Sequence, residues 1–229
     1  MLQPYAAAEP VYFTTNFEND TEGENVPHAN NDNYLAIDKF SKIVNGPGYG
    51  CVVGTEDGVN NKFLKYWNTT NTTYYLQANK LSDFTLSNKV MVSYRVKTFG
   101  NDAYIELADN TKATPLVKIL VYLFKANGNH NIGIREGSTT VPKAQYDPDE
   151  WLEVRLICDF DTNKVIVWGA GAYIGETQLF DVKAADLTKM NLRCKAVLTK
   201  DKYVYFDDLK IMDYSEPRAN IVNSQAAEI

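Results

Sequence analysis

The segment 89–99, KVMVSYRVKTF, puts Val90, Val92, Tyr94 and Val96 on one side of an extended chain. Met91, Ser93, Arg95 and Lys97 fall on the other side. A period of two is the mark of a strand with one buried face. Strand-like runs recur along the chain: VYFTTNF (11–17), YGCVVGT (49–55), KFLKYW (62–67), TYYLQA (73–78), AYIELAD (103–109) and LVKILVYLFKA (116–126). NIGIREG (131–137), WLEVRLICDFD (151–161), VIVWGA (165–170), LRCKAVL (192–198) and YVYFDDLKIMD (203–213) continue the series. Polar, turn-forming stretches separate them, and DTNK between two of the runs predicts a hairpin. The helical signal is confined to FDVKAADLTKM, with Asp181 as cap, and predicts one short helix over 181–190. Many short strands with so little helix predict an all-β fold, a two-sheet antiparallel β-sandwich or jelly roll. Residues 11–214 read as a single domain, 1–10 as a leader and 215–229 as a linker-like tail.

Composition sharpens this reading. The chain has 229 residues, a size one sandwich reaches, and is 45% hydrophobic, enough for a core. Fifteen tyrosines suit strands and ligand platforms, since a phenol joins an apolar face to a polar tip. The net charge of −6 and the absence of a Lys/Arg run argue against nucleic acid as a partner. No stretch is long and apolar enough to be read as a membrane-inserted helix. Cys51, Cys158 and Cys194, odd in number and widely spaced, exclude a disulfide framework and a CxxC metal site. MLQPYAAAEP resembles the small-residue end of a signal peptide. With the linker-like tail, it suggests a secreted or cell-surface module tethered to other domains.

Three segments carry a family resemblance. The chain opens with a strand ending NFE (16–18), has a central DEWLEVRLICDFDTNKVIVWG (149–169), and closes with VYFDDLKI (204–211). This order resembles concanavalin A-like and laminin-G-like jelly rolls, and the carbohydrate-binding modules of secreted polysaccharide-degrading enzymes. The resemblance implies a sandwich whose first and last strands are neighbours, often with a structural calcium ion. Enzymes, lectins and adhesion modules share the fold, so function rests on the site.

The acids of NFENDTEGE (16–24) have the Glu-x-Asp-x-Glu spacing of jelly-roll glycosidases, in Glu18, Asp20 and Glu22. Catalysis needs all three aimed from one strand face, with apolar residues between. Asn19, Thr21 and Gly23 are turn formers instead, so no catalytic residues are assigned. Calcium takes hard oxygen ligands. Glu18 at the end of the first strand and Asp207 and Asp208 in the last would converge on such an ion if those strands are neighbours. LFKANGNHN (123–131) partly echoes a motif of jelly-roll polysaccharide lyases; it lacks their second Tyr and the Gln, and reads rather as a hairpin. Lys125 and Arg135 of the wider segment 122–137 could still contact an anionic sugar. KYWNTTNTTYY (65–75) gathers Tyr66, Trp67 and Tyr75 about a Thr/Asn-rich turn, and Trp168, near Tyr173, ends a strand. These aromatics suit stacking on sugar rings. Asn19, Asn68 and Asn71 each open an N-x-T sequon. The expected function is non-catalytic binding of a polysaccharide or oligosaccharide. A lyase or glycoside hydrolase on the same fold, and a structural or adhesion module, are the alternatives.

Overall fold

The computed structural model describes residues 10–26, 35–38, 49–56, 59–69, 75–78, 81–100, 102–109, 116–136, 138–179, 182–194 and 203–215. The alternation that predicts strands forms them. Residues Lys89–Lys97 are strand β6, and Val90, Val92, Tyr94 and Val96 are all buried while their neighbours are half-buried. The described residues make two antiparallel sheets. The eight-stranded sheet runs β13 (Ala172–Gln178), β12 (Lys164–Gly169), β11 (Leu152–Asp159), β6, β15 (Val204–Asp213), β4 (Val59–Asn68), β3 (Tyr49–Glu56). Its remaining strand, β1 (Val11–Thr15), pairs with β15. The seven-stranded sheet runs β10 (Thr139–Gln145), β9 (Asn129–Glu136), β8 (Leu116–Ala126), β7 (Ala103–Asp109), β14 (Leu187–Cys194), β5 (Tyr75–Ala78), β2 (Leu35–Asp38).

One face of each sheet supplies the core. Leu64, Val92, Leu156, Val167 and Ile211 of the first join Ile105, Leu123, Ile132 and Leu192 of the second in one buried cluster. Each such side chain contributes roughly 1.5–3 kcal/mol by leaving water. The opposite face of each sheet is therefore available for other work.

The first and last strands are neighbours, as the resemblance implies. Val204 and Phe206 of β15 lie opposite Tyr66 and Leu64 of β4, whereas Leu209 and Ile211 lie opposite Thr15 and Phe13 of β1. The exchange of partner falls at a bulge against β6, between Asp207 and Lys210, where Asp208 takes a positive φ of 48°. A bulge adds a residue and re-aims the strand, which lets one strand serve two partners on one edge.

Two hairpins match expectation. Asp159 Oδ1 accepts the N–H groups of Asp161 and Thr162 in the DTNK turn joining β11 to β12. Asn127 and Gly128, both at positive φ, turn β8 into β9.

The helix expected over 181–190 is corrected. What forms is one 3-10 turn, Ala184–Asp186, and Leu187 already begins β14. Lys183, at the N-cap, makes no side-chain capping bond. Met190 and Leu192 then enter the core while Asn191 and Arg193 face away, a strand period that outweighs the local alanines. Asp181 lies outside the described residues. The edge strands β10 and β13 escape sequence reading because they are mostly exposed and carry no apolar alternation.

Candidate functional site

A groove crosses the outer face of the eight-stranded sheet at β6, β11, β12 and β13. Strand register builds it row by row. Met91, Ile157 and Ile166 lie directly opposite one another and form an apolar strip on a face that would otherwise be polar. One row away, Arg155 lies opposite Trp168, and Trp168 opposite Tyr173. On the other side Lys89 lies opposite Asp159. Tyr214, whose N–H bonds to the carbonyl of Lys89, closes that end. The resulting cavity is about 690 Å³ and open to solvent.

The two aromatic rings stand at its mouth. Trp168 is 39% exposed and Tyr173 54%. Their centroids are 5.8 Å apart at 71°, an edge-to-face pair. Glu153 fixes Arg155, with Oε1 2.6 Å from both Nε and Nη2. Lys89 Nζ lies 3.2 Å from Asp159 Oδ2. Burial pushes the Asp159 carboxyl up, but the Thr162 N–H and the Lys89 ammonium outweigh it and hold the group below its usual range. A carboxylate kept ionised suits hydrogen bonding to hydroxyls and not proton donation.

A second aromatic cluster lies on the same outer face, toward β4 and β15. The Trp67 ring meets Tyr203 edge-on at 6.2 Å, and the Lys65 ammonium sits 3.9 Å from the Tyr203 centroid. Tyr205 stacks on Phe63 at 4.3 Å and meets Phe99 at 4.8 Å, while Arg95 lies over Trp151 at 4.8 Å. Trp67 and Trp168 thus share a face with three strands between them and lie in different register rows, so they are at least roughly 19 Å apart at the usual strand spacing.

Other expected contacts fall elsewhere. Tyr66 is corrected: it is 0% exposed and part of the core, because β4 alternates and turns it inward when it turns Trp67 outward. Asn68, of the second sequon, is 1% exposed and so closed to glycosylation. Asn19 is exposed, and Asn71 lies outside the described residues. Tyr75 begins β5 in the other sheet, and its side chain lies outside the described residues. Lys125 and Arg135 belong to β8 and β9 of the other sheet, so neither joins Trp168. Sequence reasoning missed Met91, Arg155, Ile157 and Ile166. Their signal was apolar residues in the outward phase of three strands, but that reads as a surface only once the strand order is known.

The acids of the opening motif form a turn. Asp20 N–H bonds to the Phe17 carbonyl, Gly23 N–H to the Val53 carbonyl, and Glu22 accepts the Thr55 hydroxyl. Asp20 is buried while Glu18 and Glu22 are exposed, so the three do not share a cleft. The described residues do not fit a calcium ion held by Glu18, Asp207 and Asp208. Glu18 Oε1 accepts the Lys62 N–H, and the Lys62 ammonium bonds to the carbonyls of Glu18 (2.9 Å) and Asp20 (2.7 Å). Asp207 and Asp208 both face Arg95, at 3.7 and 3.3 Å. Asn61 and the Asp208 N–H also bond to Asp207. Among the described residues no three His, Cys, Asp or Glu side chains converge for a metal.

Comparison with known proteins defines the class. No protein-family model matches the chain, and no curated protein matches it. Solved structures do. A sialidase superposes with a TM-score of 0.55 at 11% identity, over 86% of this chain and 18% of that one. Domain 4 of AbnA, a GH43 extracellular arabinanase from Geobacillus stearothermophilus solved with arabinotriose, gives 0.51 at 14% identity, over 90% and 93%. The receptor binding domain of botulinum neurotoxin D gives 0.51 at 9%, over 91% and 50%. The chain thus spans under a fifth of the sialidase, half of the toxin domain, and nearly all of the arabinanase domain. At these identities the likeness defines the fold, a jelly-roll β-sandwich like those of carbohydrate-binding modules.

Proposed function

We propose that this chain is a non-catalytic carbohydrate-binding module of a secreted or cell-surface protein, and that the groove at Trp168 holds the sugar. The exposed Trp168–Tyr173 pair at the mouth of a cavity lined by charged side chains carries the reading. A sugar ring stacks on the indole, while Arg155, Lys89 and Asp159 bond its hydroxyls. The strand backbone holds these groups without loop ordering, which lowers the cost of binding. The likeness to an arabinanase domain solved with arabinotriose supports a neutral glycan as ligand. Against catalysis stands Asp159, the carboxylate lining the groove, which is paired and held ionised.

The test is affinity electrophoresis through soluble arabinan, xylan, β-glucan and pectin, with reducing-sugar and unsaturated-uronate assays beside it. Retardation by at least one polysaccharide without turnover is expected. Trp168→Ala should weaken that binding at least about tenfold while leaving the melting temperature near that of wild type. Turnover of any of the four would replace this reading with the enzyme alternative. Silence in every assay would favour a structural module.

A further inference from the structure

The apolar floor of the groove calls for something that an unsubstituted sugar does not carry. Met91, Ile157 and Ile166 stand on the solvent side of the sheet, line the cavity and are each partly exposed. The solvated face of an antiparallel sheet ordinarily carries polar residues at such positions. Strand register extends the row beyond the groove. Met212 of β15 lies opposite Met91, and Val11 of β1, 48% exposed, lies opposite Met212. Ile166, Ile157, Met91, Met212 and Val11 thus cross five adjacent strands in one line, roughly 19 Å long at the usual strand spacing. The β13 end of the line is closed by Glu176, which lies opposite Ile166 and meets the Lys164 ammonium at 3.2 Å.

A polar row runs beside it. Trp168, Arg155, Ser93, Lys210 and Thr14 lie opposite one another in the same strand order. Outward residues of a strand are two apart, so the two rows are separated by about 7 Å. On the other flank Lys164, Asp159 and Lys89 make a third row, polar again. The apolar strip is therefore one side chain wide, with charge on both sides. That shape decides among occupants. A membrane or a protein partner calls for a broad, contiguous apolar patch. A fatty acyl chain would fill the strip and leave the parallel polar row unused. A glycan whose sugars carry short apolar groups along one edge uses both rows, because a ring on Trp168 sets its substituent over the strip. The flanking donors define the substituent further. Arg155 is already paired with Glu153, and Lys89 with Asp159, so each can donate to a carbonyl oxygen without requiring a second anion. A free carboxylate over the apolar strip would lose hydration without gaining a partner of its own. A neutral ester joins a carbonyl acceptor to an apolar methyl group and meets both demands.

We propose that the groove selects an ester-substituted glycan, with its sugars along the row from Trp168 to Lys210 and its O-acetyl or methyl-ester groups along the strip from Ile166 to Met212. The inference rests on the reading that the Trp168 groove binds sugar, and deepens it by making Met91, Ile157 and Ile166 the residues that set specificity.

The experiment is isothermal titration calorimetry of the whole chain at physiological salt. Arabinan, xylan and β-glucan are each compared in O-acetylated and deacetylated forms, and pectin in methyl-esterified and saponified forms. At least one polymer is expected to bind at least about fivefold more tightly when esterified, as burial of a methyl group requires. A preference among the first three polymers assigns the acetyl ester, and one for pectin alone assigns the methyl ester. I157Q should bind both forms with the weaker affinity, while W168A should lose both. Equal affinity for the two forms of every polymer that binds, or preference for the unesterified form, would overturn this inference and leave the glycan reading standing. No binding of any form would overturn both. The wild-type comparison decides without any variant, so a fold defect in I157Q does not obscure the outcome.

Discussion

Asp207 shows how a single residue can be legible in kind and wrong in role. Its phase with Leu209 and Ile211 marks it as a strand acid that points inward, and it is 1% exposed at the bulge. Burial pushes its carboxyl up to about 6, with Asn61, the Asp208 N–H and Arg95 pulling it back. The sign follows from linkage. A carboxyl raised in the folded state binds its proton more tightly there, so stability falls as pH rises from the usual carboxylate value to about 6, and the cost persists above. Asp207→Asn, neutral at every pH, is therefore expected to melt no lower than wild type at pH 7 and to lose the pH dependence between those values. A variant that melts well below wild type at pH 7 would show that the Arg95 pairing outweighs burial. Tyr66 and Trp67 make a similar lesson. Sequence placed both in an aromatic cluster, but adjacent residues on a strand point to opposite faces, and only the pairing with β15 and β3 says which is inside.

At the scale of elements, the long central strands were legible because each buries one face and alternates along its length. The edge strands β10 and β13 and the start of β14 were not, for want of apolar alternation in the first case and because the alanines of 184–185 mimic a helix in the second. Two expectations belong here. Gly133 of β9 faces outward between β8 and β10, where a Cβ would lie 2.6 Å from Phe124 Cε1 and 2.7 Å from Thr140 Cγ2. Gly133→Ala must push two side chains apart and is expected to cost about 1–3 kcal/mol, seen as a lower melting temperature. An unchanged melt would mean that the β8–β9–β10 packing is looser than the structure shows. The corner where β1 leads into its turn is closed by Lys62, whose ammonium bridges two carbonyls. A chelator should leave the melting temperature unchanged, whereas Lys62→Met, which orphans those carbonyls, should lower it. A rise in melting temperature on adding calcium to wild type would contradict this account of the corner.

At the scale of the whole molecule, two sheets bury one face each and leave two outer faces that differ in chemistry. The eight-stranded sheet presents exposed rings and paired charges around an open groove. The seven-stranded sheet presents a buried acid–amide pair bordered by an aromatic strip. Sequence carried the fold class, the neighbouring end strands and the Trp168–Tyr173 pair. It could not carry the groove, which exists only because β6 lies beside the consecutive strands β11, β12 and β13 although it comes from a distant part of the chain. The same strand order separates Trp67 from Trp168, which yields the most direct test. Wild type, W67A and W168A are to be compared by affinity electrophoresis in whichever soluble polysaccharide retards wild type. The account predicts that W168A loses retardation and W67A keeps it. Retention of wild-type retardation by W168A would contradict the claim that the groove on the eight-stranded sheet binds the glycan.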